Sequence, residues 1–126
     1  KKANHNPVAV LNGDKTKGVI YVNARSVETV RLSAEGTSDP DGNELVPRWW
    51  IYPEAGTIMH WKTRRLPEGV ALSSDQGLTT SLLAPKVQKT ETLHVIFEVH
   101  DTGTPKLWAY RRAVVKIEPG AANKPD

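Results

Sequence analysis

"TLHVIFEVHD", residues 92–101, is the stretch of the sequence that decides the fold. Its apolar residues recur at every second position, at Leu93, Val95, Phe97 and Val99. Side chains on a strand point alternately to opposite faces of a sheet, so this period of two predicts a strand with one face buried. The run LWAYRRAVVKIE, residues 107–118, repeats the alternation after the turn TGTPK, and we expect the two runs to pair as a hairpin.

Similar runs bounded by turn formers continue the pattern along the chain. We expect further strands at residues 7–12, 19–23, 27–36, 45–53 and 79–85. No window of helical length shows a period near 3.6, so the chain is predicted to be all-β. About seven short strands favour an immunoglobulin-like antiparallel β-sandwich, and an up-and-down barrel is the alternative that strand counting leaves open. Arg111 falls at an inward position of the last run, which predicts a place at a sheet end or beside a bulge.

The composition indicates one domain. The 126 residues are 38% hydrophobic, which supplies enough apolar side chains for a single core. We expect this domain to cover residues 1–119, and we expect residues 120–126 to be a flexible tail or linker. The sequence has no cysteine, which excludes disulfides, thiol nucleophiles and thiolate zinc sites.

The charge distribution argues against several classes of partner. The net charge is +3, and the 17 basic and 14 acidic residues are scattered, so we expect no nucleic-acid binding. No run approaches the ~18 apolar residues that cross a membrane. The lysine-led N-terminus lacks the apolar stretch of a signal peptide, and we expect any targeting segment to lie upstream or to have been removed. We expect a monomer.

Two adjacent tryptophans stand in the run LVPRWWIYP, residues 45–53. Neighbouring side chains on a strand point to opposite faces, so Trp49 and Trp50 cannot both enter one core. With Leu45, Trp49 and Ile51 at the buried positions, the side chains of the other parity point outward. Those are Arg48, Trp50 and Tyr52.

The predicted hairpin adds further rings to this outward face. A connection over residues 102–106 sets Asp101 opposite Leu107, so that even-numbered positions of both strands share a face. Three strands about 4.8 Å apart would make a platform about 10 Å across. The predicted members of this platform are His94 and eight further residues. Those eight, which are also the candidate carbohydrate-binding residues, are Trp50, Tyr52, Trp108, Tyr110, Arg48, Arg112, His100 and Glu98.

An exposed aromatic face on this scale predicts a partner. Flat rings stack on the CH-rich face of a pyranose, and neighbouring Arg, Glu and His side chains supply donors and acceptors for hydroxyls. The same residue types are enriched where protein domains dock, so an adjacent domain of the same chain is the second hypothesis. The third is burial within the monomer, by residues 54–78 folding over the sheet with Trp61 as the anchor.

Catalysis and metal binding find little support. Nucleophilic catalysis needs a nucleophile, a base and an orienting group within hydrogen-bond reach, and no such set is evident, so we expect no enzyme activity and no catalytic residues. His5 and His60 stand isolated in loop-like sequence. The loop SDPDGN contains Asp39, Asp41 and Asn43, whose oxygen atoms alternate as calcium ligands do, and a sandwich could bring Asp101 to the same end. Pro, Asp and Gly also suit a tight loop without any ligand, and we expect no cofactor.

Two stretches carry a family resemblance. RLSAEGTSDPDGNELVPRWWIYPEAG, together with VIFEVHDTGTPKLWAYRRAVVKI, resembles the PKD and cadherin-like branch of immunoglobulin-like domains. From HNPVAVLNGD to AVVKIEP the chain is similar to the C-terminal domain of bacterial secreted proteins described as cellulose-binding, which carry a nucleoside-hydrolase-like domain upstream. The resemblance implies a secreted or periplasmic accessory module that binds cellulose-like glucan chains, with any hydrolysis left to the upstream domain.

Overall fold

Six strands make up the regular structure of the protein. The computed structural model describes residues 4–59, 62 and 65–120. The strands are β1 (Ile20–Arg25), β2 (Thr29–Ser33), β3 (Leu45–Tyr52), β4 (Thr79–Leu83), β5 (Glu91–Asp101) and β6 (Trp108–Glu118). In the described ranges the only helical element is the 3-10 turn Pro53–Ala55, and no described helix has the length and apolarity to cross a membrane. The all-β prediction is confirmed, with six strands instead of seven.

The strands form two sheets. A four-stranded sheet has the order β1, β6, β5, β3, and β2 pairs with β4 in a two-stranded sheet. The hairpin of β5 and β6 is antiparallel as predicted, and β3 pairs antiparallel with the other side of β5. β1 instead runs parallel to β6. Because the strands form two separate sheets that pack together, the chain is a sandwich and not a barrel.

The core lies between the two sheets. The alternate residues of β5 that the sequence placed inward are all 0 or 1% exposed, and they face Val30, Leu32 and Leu82 of the two-stranded sheet. Trp49 is 1% exposed, and its ring centroid lies 4.7 Å from that of Phe97. Its indole N–H donates to the backbone oxygen of Gly77 at 2.9 Å, which satisfies the one polar group that this large side chain brings into the core.

Residues 7–12 correct the sequence analysis, because they do not form the expected strand. Val8 makes only an isolated bridge to Ser38, and Leu11 makes another to Asp14. Most of the segment is nevertheless buried, with Val10 at 2% and Leu11 at 0% exposure, while Val8 is exposed. A short apolar run reads the same in a sequence whether it pairs along a sheet or only packs against one.

Arg111 explains how this segment is held. It is 3% exposed, and it lies within an unbroken register of β5 and β6, so the expected sheet end or bulge is wrong. Its two terminal nitrogens donate to the backbone oxygens of Ala9 (3.1 Å), Asp14 (2.6 Å) and Gly18 (3.0 Å), and to the Asp14 carboxylate (3.1 Å). These charge-assisted hydrogen bonds stabilise a guanidinium inside the fold and fix the N-terminal segment against β6.

Candidate functional site

The outward side chains of the four-stranded sheet form one continuous surface, here called the outer face. Strand register sets them in rows across β3, β5 and β6. The rows are Val46, His100 and Trp108; Arg48, Glu98 and Tyr110; Trp50, Ile96 and Arg112; and Tyr52, His94 and Val114. All eight predicted site residues therefore lie on one face, and the parity assigned to the tryptophan pair is confirmed.

The aromatic rings of the outer face are exposed. Trp50 and Tyr52 each keep 38% of their surface accessible, Trp108 keeps 39% and Tyr110 keeps 57%. The indole of Trp50 and the ring of Tyr52 are 6.0 Å apart at their centroids, with their planes tilted by 51°. Trp108 and Tyr110 are 6.2 Å apart and almost parallel, at 7°.

Tyr21 is a member of this surface that the sequence analysis missed. It lies on β1 opposite Val114 of β6, and paired residues point to the same side of a sheet, so its ring joins the outer face. At 75% it is the most exposed of the large apolar and aromatic side chains in the described residues. The run VIYVN was predicted as a strand, but the parallel pairing of this early strand with the last one leaves no local sign in the sequence.

Polar groups fix two of the rings. The indole N–H of Trp50 donates to Oε1 of Glu98 at 2.8 Å, one strand away. The ring of His100 lies 4.5 Å from that of Trp108, and Nδ1 of His100 is 2.8 Å from the backbone oxygen of Asp101. A carbonyl oxygen can only accept, so Nδ1 carries the proton and Nε2 is the acceptor in the neutral ring.

Arg112 on β6 contacts side chains of both other strands of the predicted platform, Tyr52 on β3 and His94 on β5. Its guanidinium carbon lies 5.6 Å from the centroid of the Tyr52 ring, within the range of a cation–π contact. Its Nη1 lies 3.3 Å from Nδ1 of His94, and because Arg only donates, that nitrogen of His94 is the acceptor. Burial, and secondly the nearby charge of Arg112, lower the pKa of His94 below its ordinary value.

A depression of about 300 Å³ lies near the middle of the outer face. Ile96 has outward parity but is 5% exposed, so it forms part of the floor. The walls are the side chains of Trp50, Tyr52, Tyr110 and Arg112 together with the segment around Val19, which precedes β1. A concave surface with apolar rings and a few convergent polar groups is the usual form of a small-ligand site.

The described parts of residues 54–78 pack elsewhere. Val70 belongs to the core, and Leu72 packs against it. The backbone oxygen of Asp75 accepts the N–H of Trp49 at 2.9 Å, which places this part of the segment along the free edge of β3. Trp61, the expected anchor of a cover over the rings, lies outside the described residues.

The SDPDGN loop is held by its own hydrogen bonds. Oδ1 of Asp39 accepts the N–H of Asp41 at 2.8 Å, and Gly42 adopts a positive φ of 74°. The sequence suggested that His5 is isolated, but its backbone N–H donates to Oδ2 of Asp41 at 2.6 Å. Within the described ranges, no group of three or more His, Cys, Asp or Glu side chains could hold a metal.

Asp101 does lie at the same end of the sandwich as this loop. Asn43 donates to Oδ1 of Asn4 at 3.0 Å, and Asn4 donates to Oδ2 of Asp101 at 2.9 Å. The pKa of Asp101 is lowered by the backbone N–H of Leu107, and further by those of Gly103 and the Asn4 amide. Amide and N–H donors thus stabilise the ionised carboxylate and connect the loop to the hairpin.

Comparison with known proteins identifies relatives of the chain. Residues 29–117 match a family model described as "Cellulose-binding protein Sde0182, C-terminal domain". A nucleoside hydrolase-related hypothetical protein from Saccharophagus degradans, associated with carbohydrate metabolism, is 34% identical over 92% of this chain, with a TM-score of 0.80. The chain spans 26% of that protein. A sialyltransferase from Photobacterium damsela is 15% identical over 80% of this chain and 18% of its own, with a TM-score of 0.45. No curated protein matches significantly.

Proposed function

Because the chain belongs to the family of cellulose-binding protein Sde0182 C-terminal domains, we propose that it is a noncatalytic carbohydrate-binding module that stacks glucan chains on its outer face. The observation that carries this proposal is the grouping of five exposed rings on one sheet, namely Trp50, Tyr52, Trp108, Tyr110 and Tyr21. Monomeric proteins rarely leave so large an aromatic surface without a partner.

The chemistry of the face suits a neutral polysaccharide. Contact between the rings and the CH faces of sugars would supply most of the affinity. Hydrogen bonds to the sugar hydroxyl groups would set the direction of the bound polysaccharide. The side chains that would make them are those of Arg48, Arg112, Glu98 and His100. These side chains stand between the rings on the same face, so one sugar residue can meet both kinds of group.

A second candidate function uses the same surface as a docking site for an adjacent domain. It is favoured by the length of the Saccharophagus protein, of which this chain spans only 26%. Trp, Tyr and Arg are also the residues that dominate domain interfaces. Mixing the chain with the separately expressed remainder of its full-length protein tests this alternative, and no association at high micromolar concentration would count against it.

Several properties of the whole protein belong to the same proposal. We place the protein outside the cytoplasm of a bacterium, secreted or periplasmic, with a nucleoside-hydrolase-like domain upstream. We expect the module to be a monomer comprising residues 1–119, with the tail or linker predicted at 120–126; residues 1–3 and 121–126 lie outside the described ranges. Kinship with PKD and cadherin-like domains stays a prediction from the sequence.

Retention on insoluble cellulose tests the binding function. The double variant Trp50→Ala, Trp108→Ala should lose most of the retention of the parent, and Tyr21→Ala should lose part of it. Leu83→Ala is the matched control, because Leu83 is 53% exposed on the two-stranded sheet. Equal retention of the double variant and the parent would show that the outer face does not bind cellulose.

A further inference from the structure

The planes of the rings on the outer face carry information about the form of the ligand. The flat surface of a crystalline polysaccharide presents its sugar rings in one plane, and aromatic side chains that bind it must be coplanar. The planes of Trp50 and Tyr52 differ by 51°. Only one of these two rings can lie flush against a flat surface, although both are equally exposed.

The depression between the rings points the same way. Its volume of about 300 Å³ is at the lower end of the range of small-ligand pockets. Its floor at Ile96 is nearly inaccessible, while the walls at Trp50, Tyr52 and Tyr110 stand 38 to 57% exposed. A flat crystal face would rest on the walls and leave the floor unfilled, whereas a separate chain can place a sugar residue between them.

One polar side chain of the binding face lines the same depression, and a second stands beside one of its walls. Arg112 forms part of its wall and has five N–H donors, of which one contacts His94. Glu98 stands beside Trp50 and accepts its indole N–H with one of two carboxylate oxygens, each of which has two lone pairs. Hydroxyl groups at the rim of a sugar ring are the natural partners for such groups, and they are fully accessible only on a chain that is free from its crystal.

We infer that the ligand is a single glucan chain, soluble or in amorphous cellulose, which is bound with one sugar residue in the depression formed by Trp50, Tyr52, Tyr110 and Arg112. This inference rests on the proposed function and narrows its substrate class. The crystalline surface of cellulose is a poor ligand, because Trp50 and Tyr52 cannot both lie flush against it, even though the planes of Trp108 and Tyr110 are almost parallel.

The test compares three forms of one polymer. Affinity for cellohexaose is measured by calorimetry, and retention is measured on phosphoric-acid-swollen cellulose and on microcrystalline cellulose at equal accessible surface. We expect binding to cellohexaose and to the swollen form, with retention on the microcrystalline form lower by about tenfold or more. Strong retention on microcrystalline cellulose without binding of cellohexaose would overturn the inference and leave the proposed function intact. Binding to none of the three would overturn both.

Variants locate the site. Trp50→Ala removes a wall of the depression and should weaken cellohexaose binding by at least about tenfold. Leu83→Ala, on the opposite sheet, should bind like the parent. Circular dichroism and the unfolding midpoint verify that each variant is folded. If folded Trp50→Ala binds cellohexaose like the parent, the glucan chain is not bound in the depression.

Discussion

Trp49 and Trp50 are neighbours of one residue type in opposite environments. The indole of Trp49 packs against Phe97 inside the sandwich and donates to Gly77, while that of Trp50 lies on the outer face and donates to Glu98. The alternation of a strand makes this division unavoidable. It follows that one tryptophan serves stability, and the other is available for binding.

Truncation of the pair should therefore give two different results. Trp49→Ala should lower the free energy of unfolding by about 3–5 kcal/mol, because it empties a large volume in the core. Trp50→Ala should lower it by only about 1 kcal/mol, through loss of one exposed hydrogen bond and some packing. Urea denaturation of the two single variants measures both. Equal losses would mean that the assigned parity is wrong.

His94 should make stability depend on pH. Its pKa in the folded protein lies below the ordinary value of about 6.5, since burial and Arg112 disfavour the charged ring. The unfolded chain therefore takes up the proton first as the pH falls. This contribution to stability is complete above about pH 6.5 and is lost as the pH falls through the folded pKa.

Urea denaturation at pH 7.5 and 5.5 measures this effect. The parent should be less stable at the lower pH, and His94→Gln should lose less stability between the two values. Tyr52 and Val114 flank His94 in the same row, so Arg112 is the charged group that matters most in this comparison. An identical pH dependence in the variant would assign the effect to another group.

At the scale of elements, one buried cation organises a segment without regular structure. Residues 9–18 direct three backbone oxygens and one carboxylate at Arg111, and this arrangement takes the place of the predicted first strand. The segment then leads through Val19, beside the depression, into β1. Arg111 thus supports one side of the candidate site from within.

Replacing Arg111 tests this arrangement, and the same replacement of its neighbour Arg112 is the control. Arg111→Met should lower the free energy of unfolding by about 2 kcal/mol or more, since it leaves buried acceptors without a charged donor. Arg112→Met, one residue along on the outer face, should cost less than about 1 kcal/mol. Hydrogen exchange at the N–H groups of Val10 and Leu11 should accelerate only in the first variant. Unchanged exchange there would show that the segment is held by other contacts.

Local patterns in the sequence located all six observed strands and also predicted one, at residues 7–12, that does not form. The period of two identified β3, β5 and β6, and a short connection fixed the register of the hairpin, so the positions of Trp50, Trp108 and Tyr110 followed. The partner of β1 and the irregular course of residues 7–12 depend on contacts distant in sequence. Arg111 looked like a misfit because a buried cation is explained only by acceptors about a hundred residues away.

The whole molecule has two unlike outer surfaces. The four-stranded sheet exposes aromatic rings, while the exposed side of the two-stranded sheet carries mainly hydroxyl groups and a cation. Those residues are Thr29, Arg31, Ser33, Thr79, Ser81 and Leu83. Because β1 adds Tyr21, the aromatic surface spans four strands, about 14 Å, where the sequence predicted three. Under the proposed function, this asymmetry assigns binding to the outer face alone.

The most direct test of this account is oxidative footprinting of the chain while it is bound to swollen cellulose. Mass spectrometry would compare oxidation of individual side chains with and without the polymer. We predict protection of Trp50, Trp108 and Tyr110, with Leu83 on the other sheet modified equally in both states. If the bound chain shows no protection of those rings, or if protection falls on the two-stranded sheet, the outer face is not the surface that binds glucan.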